Sequence, residues 1–158
     1  MTAVLATLCV SIYLGGLVLA AGWDMFTRTI PNLLLGAITI AAAGRLLLVS
    51  PGALAEHGAV ALAVLCGGAI LFACKLWGAG DAKLLAAAAV VLGTKGLPLL
   101  ILGTAVVGGI LAVVFIANRI LFEGGKAPAS GLPYGVAIAS GAILSFVGTN
   151  AFGPLSGL

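Results

Sequence analysis

Two aspartates carry the chemistry available to this chain: Asp24, in Gly22-Trp23-Asp24-Met25, and Asp81, in Gly78-Ala79-Gly80-Asp81-Ala82-Lys83. The sequence has only four carboxylates among 158 residues, and these two fall beside or within strongly apolar runs. A carboxylate at membrane depth is expensive, so it faces a partner or a wet cavity and marks function. Two carboxylates held close together in a low-dielectric site do not both ionise easily; they titrate as a pair that shares a proton. Such a pair can hydrolyse a peptide bond. One carboxylate takes a proton from water as it attacks the scissile carbonyl, the other donates to the carbonyl oxygen, and proton return releases the amine.

The two acids lie far apart in sequence, so they meet only if helices bring them together. The composition says which helices. The chain is 63% hydrophobic and 7% charged, with a mean hydropathy of +1.33. A soluble domain of this size would lack the charge to solvate its surface, so the chain reads as a polytopic, all-α membrane protein in a single domain, 1–158. A crossing helix needs about 20 apolar residues. The apolar runs divide into six predicted spans at about 3–23, 32–50, 58–75, 80–94, 97–119 and 133–150, making a six-helix transmembrane bundle. The fourth is short and opens on Asp81, which implies that its first turn is buried in protein or lines an aqueous cavity.

Punctuation supports these limits. Pro31-Asn32 opens the second helix, Pro51-Gly52 closes it, and Gly96 to Pro98 separates the fourth from the fifth. Glu123-Gly124-Gly125-Lys126-Ala127-Pro128 is the most loop-like segment. The first span has no positive charge before Asp24 and no lipoprotein cysteine after its small residues, so it reads as a retained helix. Cys9, Cys66 and Cys74 fall within apolar runs with no C-x-x-C pair, and read as buried small hydrophobes, not as zinc ligands or disulfides.

Charge orients the spans. The net charge of +3 is a topological signal, not a nucleic-acid-binding one. Arg28, Lys75, Lys83, Arg119 and Lys126 fall on one side; Lys95, with Arg45 if it reaches the surface, falls on the other. The positive side is cytoplasmic, which puts both termini outside. Trp23, Trp77 and Tyr134 fall near the same positive face, where amphipathic rings prefer to sit. Asp24 and Asp81 then share one depth, close to the cytoplasmic boundary.

The residues around the acids carry a resemblance. Gly78-Ala79-Gly80-Asp81 resembles the G-x-G-D signature of intramembrane-type aspartic proteases. Asp24-Met25-Phe26-Thr27-Arg28-Thr29-Ile30-Pro31-Asn32 is similar to the D-x5-I-P-N segment of type IV prepilin peptidases, and Gly78 to Ala86 to their G-x-G-D-x-K-L-x-A segment. Leu132-Pro133-Tyr134-Gly135 is similar to the proline-aromatic motif that opens their last helix. The resemblance covers essentially the whole chain. It implies a six-helix bundle in the bacterial inner membrane whose two aspartates, here Asp24 and Asp81, cleave the basic leader from prepilins at the cytoplasmic face. The chain lacks the N-terminal insertion with two C-x-x-C pairs found in larger bifunctional members, so N-methylation is not transferred. The small form resembles the peptidases that accompany tight-adherence (Flp-type) pili. The expected partners are a prepilin with a basic leader and a hydrophobic helix, and the lipid bilayer; no metal or organic cofactor is expected.

Several other residues have alternative readings. Gly78 and Gly80 allow a bend and a close approach of an extended substrate. Lys83 meets an acidic group on a substrate, steadies the helix end, or reaches lipid phosphate. Arg28 is a topology anchor before it is a substrate contact. Pro133 opens the last helix, and Tyr134 is an interfacial anchor or a cavity wall. His57, a lone loop histidine beside Glu56, is given no metal or acid–base role, and Arg45 is left unplaced. Gly15-Gly16, Gly67-Gly68 and Gly108-Gly109 let helices pack closely. The rival function is a small proton- or cation-coupled transport protein using the same acids. That reading predicts polar groups continuing towards the outer face, where the spans are mainly Ala, Leu, Val and Gly. A third, an inert assembly subunit, predicts that Asp→Asn changes leave function intact.

Overall fold

The computed structural model describes residues 1–75, 77–122 and 132–152, and among them the regular elements are all helices. The loop expected at Glu123 to Pro128, with the charge on Lys126, lies outside the described residues, as does the side chain of Arg119. Five α-helices follow in order: α1 (Thr2–Thr27), α2 (Asn32–Val49), α3 (Leu54–Ala73), α4 (Ala79–Phe122) and α5 (Tyr134–Phe152), with one turn of 3-10 helix at Pro51–Ala53. Four helical stretches are long and apolar enough to cross a bilayer. Their apolar residues run all round the helix, the pattern of a span embedded in lipid. Leu33 is 87% exposed and Phe26 86%, a surface that belongs against lipid.

Where six separate helices were expected, five helical runs are described. The fourth and fifth join in one helical run, broken inside at Gly93 with φ 58 and ψ −161. That backbone region is essentially reserved for glycine. The break reverses the chain: Leu85 and Ala112 line one pocket, although a straight helix would hold them about 40 Å apart. The expected boundary at Gly96 to Pro98 is displaced accordingly, and Pro98 lies inside the second arm of α4. The reversal is held from α3. The ring of His57 closes over Gly93, its Nδ1 lies 2.9 Å from the carbonyl oxygen of Val90, and the hydroxyl of Thr94 donates to Glu56.

α4 is the element around which the others gather, packing on α5, α3 and α2. Its second arm meets α5 backbone to backbone, because a Cβ on Gly141 would fall 2.6 Å from the amide nitrogen of Thr104. Small residues permit such a crossing. At the other end of its first arm, a Cβ on Gly68 would lie 2.6 Å from that of Ala82, so α3 touches α4 closely there. Tyr13, fully buried on α1, donates to the carbonyl oxygen of Ala88 at 3.2 Å, and Ser145 on α5 donates to that of Gly96 at 2.7 Å. Arg45 acquires a place: its guanidinium sits 5.1 Å from the centre of the Phe146 ring, which in turn lies 5.8 Å from the ring of Tyr13.

The connections set the depth of the acids. α1 ends and α2 begins at one end of the bundle, where α3 also ends and α4 and α5 begin. Asp24 is in the last turn of α1 and Asp81 in the first turn of α4, so both fall at that end.

Candidate active site

Asp24 is buried, and α5 is what holds it. The first turn of a helix has backbone N–H groups without intrahelical partners, and these point at an anion. Pro133 ends the preceding segment, Tyr134 starts α5, and the N–H of Gly135 donates to Oδ2 of Asp24 at 2.8 Å. The approach is so close that a Cβ on Gly135 would come within 2.8–2.9 Å of Asp24 Cβ, Cγ and Oδ2. In the sequence Gly135 stands out only as part of Leu132-Pro133-Tyr134-Gly135. A glycine just inside a helix that follows proline was the available signal.

Asp81 is half-buried, one turn into α4. Its side chain folds back over the start of its own helix, where a Cβ on Gly78 would lie 2.7 Å from Oδ2. Gly78 is therefore needed for space beside the carboxylate. Neither Gly78 nor Gly80 has a positive φ. Gly80 instead receives the side chain of Ile30, 3.7 Å from where its Cβ would be.

The two acids line one cavity of about 500 Å³, together with Arg28, Asn32, Gly78, Gly80 and Lys83 among others. Asp24 comes with the loop that follows it: Arg28 caps α1 in the left-handed conformation at φ 57, its N–H donating to the carbonyl oxygen of Asp24 at 3.0 Å. This turns the chain through Thr29 and Ile30 to Pro31, whose extended backbone (φ −60, ψ 133) starts α2. The turn lays Ile30 against Gly80 and Asn32 beside Lys83. Lys83 Nζ donates to Oδ1 of Asn32 at 3.0 Å. Of the three roles weighed for Lys83, a substrate acid and lipid phosphate do not describe this contact, and steadying the helix end named no partner for it. It joins the two segments that carry the acids, and one sequence read alone held no signal for it. Nη1 of Arg28 is shielded and has no hydrogen-bond partner among the described residues.

Pro133 is buried, and its carbonyl oxygen accepts from the N–H of Val136 at 3.3 Å. Tyr134 is half-buried against Trp77, ring centres 6.5 Å apart, and the two line a separate pocket with Leu85 and Gly108. His57 and Glu56 lie at the opposite end of α4's first arm, with the Gly93 reversal.

Chemically, the cavity offers two carboxylates of different surroundings and two cations in a space of about 500 Å³. One acid is fixed by a neighbouring helix, the other by the start of its own.

The sequence model of the type IV leader peptidase family matches residues 11–113, a stretch that holds both acids, the Ile30-Pro31-Asn32 turn and Lys83. No curated protein and no solved structure gives a significant match.

Proposed function

The chain belongs to the type IV leader peptidase family, and on that premise we propose that it is an aspartic endopeptidase of the bacterial inner membrane that removes the basic leader of type IV or Flp-type prepilins. Asp24 and Asp81 act together on one water, sharing a proton as the tetrahedral intermediate forms and collapses. The observation that carries this reading is their common cavity at one end of the bundle. That end also bears Arg28, Lys75 and Lys83, the positive charge expected on the cytoplasmic side. A prepilin offers a soluble basic leader joined to a membrane helix, so its scissile bond falls at that depth. Arg28 lines the same cavity, and its guanidinium suits an acceptor oxygen of the substrate backbone.

The transport reading is the weaker one. Among the described residues the cavity with both acids lies at one end, and the nearby pocket that includes Leu85 and Ala112 is almost wholly apolar.

Cleavage of a co-reconstituted prepilin tests the proposal. Wild type should release the leader, while folded Asp24→Asn and Asp81→Asn variants should each be slowed by at least about 10²–10⁴-fold. Full activity in either variant would remove the shared-proton mechanism.

A further inference from the structure

A second cavity adjoins the first and shares two of its residues. It is a groove of about 410 Å³ between α2 and α3, with the first arm of α4 as its floor. α2 and α3 barely touch, whereas each packs on α4. Asn32 and Lys83 stand at one end, where they also edge the acid cavity. From there Leu35, Gly36 and Thr39 follow α2, and Ala86, Ala87 and Val90 follow α4. Both walls run about 10 Å, or two helical turns, from the acids' end into the apolar body of the bundle.

We propose that this groove docks the apolar helix of the peptidase's own substrate, delivering the chain just beyond the scissile bond to Asp24 and Asp81. The inference rests on the peptidase reading above. Continuity is its first support: a peptide leaving the acid cavity past the Asn32–Lys83 pair enters the groove directly. Complementarity is the second. The cavity that receives the cut is polar, while beyond Lys83 the groove has no charged residue. Its hydroxyl is also spoken for, since Thr39 donates to the carbonyl oxygen of Leu35 at 2.8 Å. A polar, extended stretch followed at once by an apolar helix matches that order. Shape is the third. Gly36, Ala86 and Ala87 keep the walls low enough for another helix to approach closely. Among the described residues nothing lies within 4 Å of a Cβ built on Gly36, so the space before it is open.

The test uses the full chain in nanodiscs. A photo-crosslinking amino acid at Leu62, in the groove, should capture the apolar helix of a bound prepilin at least about fivefold more than one at Ile116, which is outside the groove. Capture at Leu62 of lipid alone, or equal capture at both positions, overturns the proposal. Independently, Gly36→Phe puts a ring at the groove from a position whose Cβ has no described protein atom within 4 Å. It should lower kcat/KM for intact prepilin relative to a short peptide spanning the cut by at least about tenfold. Gly15→Phe, at an equally open position on α1, should leave that ratio unchanged. Equal loss of both substrates in Gly36→Phe counts against the groove. Should the wild type cleave neither substrate, the peptidase reading falls, and crosslinking still decides whether the helix docks.

Discussion

The backbone N–H of Gly135 donates to Oδ2 of Asp24 at 2.8 Å, so the first turn of α5 fixes an acid carried by α1. This makes the last helix part of the candidate active site although it lies outside the matched family segment, 11–113.

Replacing Gly135 by alanine should therefore damage catalysis more than folding. Its Cβ would press on Asp24 within 2.8–2.9 Å, and a displacement near 1 Å at a catalytic group costs about 10²-fold. We expect kcat for leader release to fall on that order while the purified protein keeps its helical circular dichroism. Wild-type kcat in Gly135→Ala would show that Asp24 does not need its present position.

The Asn32–Lys83 pair should behave as one unit. Lys83→Met and Asn32→Ala each break the same 3.0 Å hydrogen bond, so the double variant should be little worse than either single one. A double-mutant cycle on kcat/KM should give a coupling of about 0.5–1 kcal/mol. Strict additivity would mean that the contact does not position the acids.

At the far end of the bundle, Gly93→Ala should destabilise without touching chemistry. Glycine's φ of 58 and ψ of −161 there are costly for alanine, and the new Cβ would meet the His57 ring at 2.5–2.8 Å. The backbone strain alone is worth about 1–3 kcal/mol. Thermal unfolding in detergent should shift downwards, with activity per folded molecule retained. An unchanged melting temperature would mean that the reversal relaxes easily.

Tyr13→Phe offers a graded control. It removes the buried bond to the Ala88 carbonyl oxygen, for which membrane interiors suggest about 0.6 kcal/mol. A small loss of stability with unchanged cleavage is expected. A large fall in kcat would tie the α1–α4 contact to the acids directly.

The sequence by itself determined the class of the protein and the candidates for its chemistry. Apolar runs free of charge leave no fold but helices in lipid, because an unpaired backbone group in hydrocarbon is too costly. Asp24 and Asp81 were legible for the same reason: an acid in such a run is anomalous. Alternating helix directions then put both at one depth. Where the helices divide was less legible. Proline and glycine both mark breaks, and local sequence around Gly93 to Pro98 does not say which residue takes the reversed backbone; the packing of His57 over Gly93 does. The donor from Gly135 and the Asn32–Lys83 bond belonged to the tertiary structure alone, as did the groove between α2 and α3. Each joins residues distant in the chain, and helix periodicity describes one helix at a time, not which faces meet. Packing on α4 decided that the acids share a cavity.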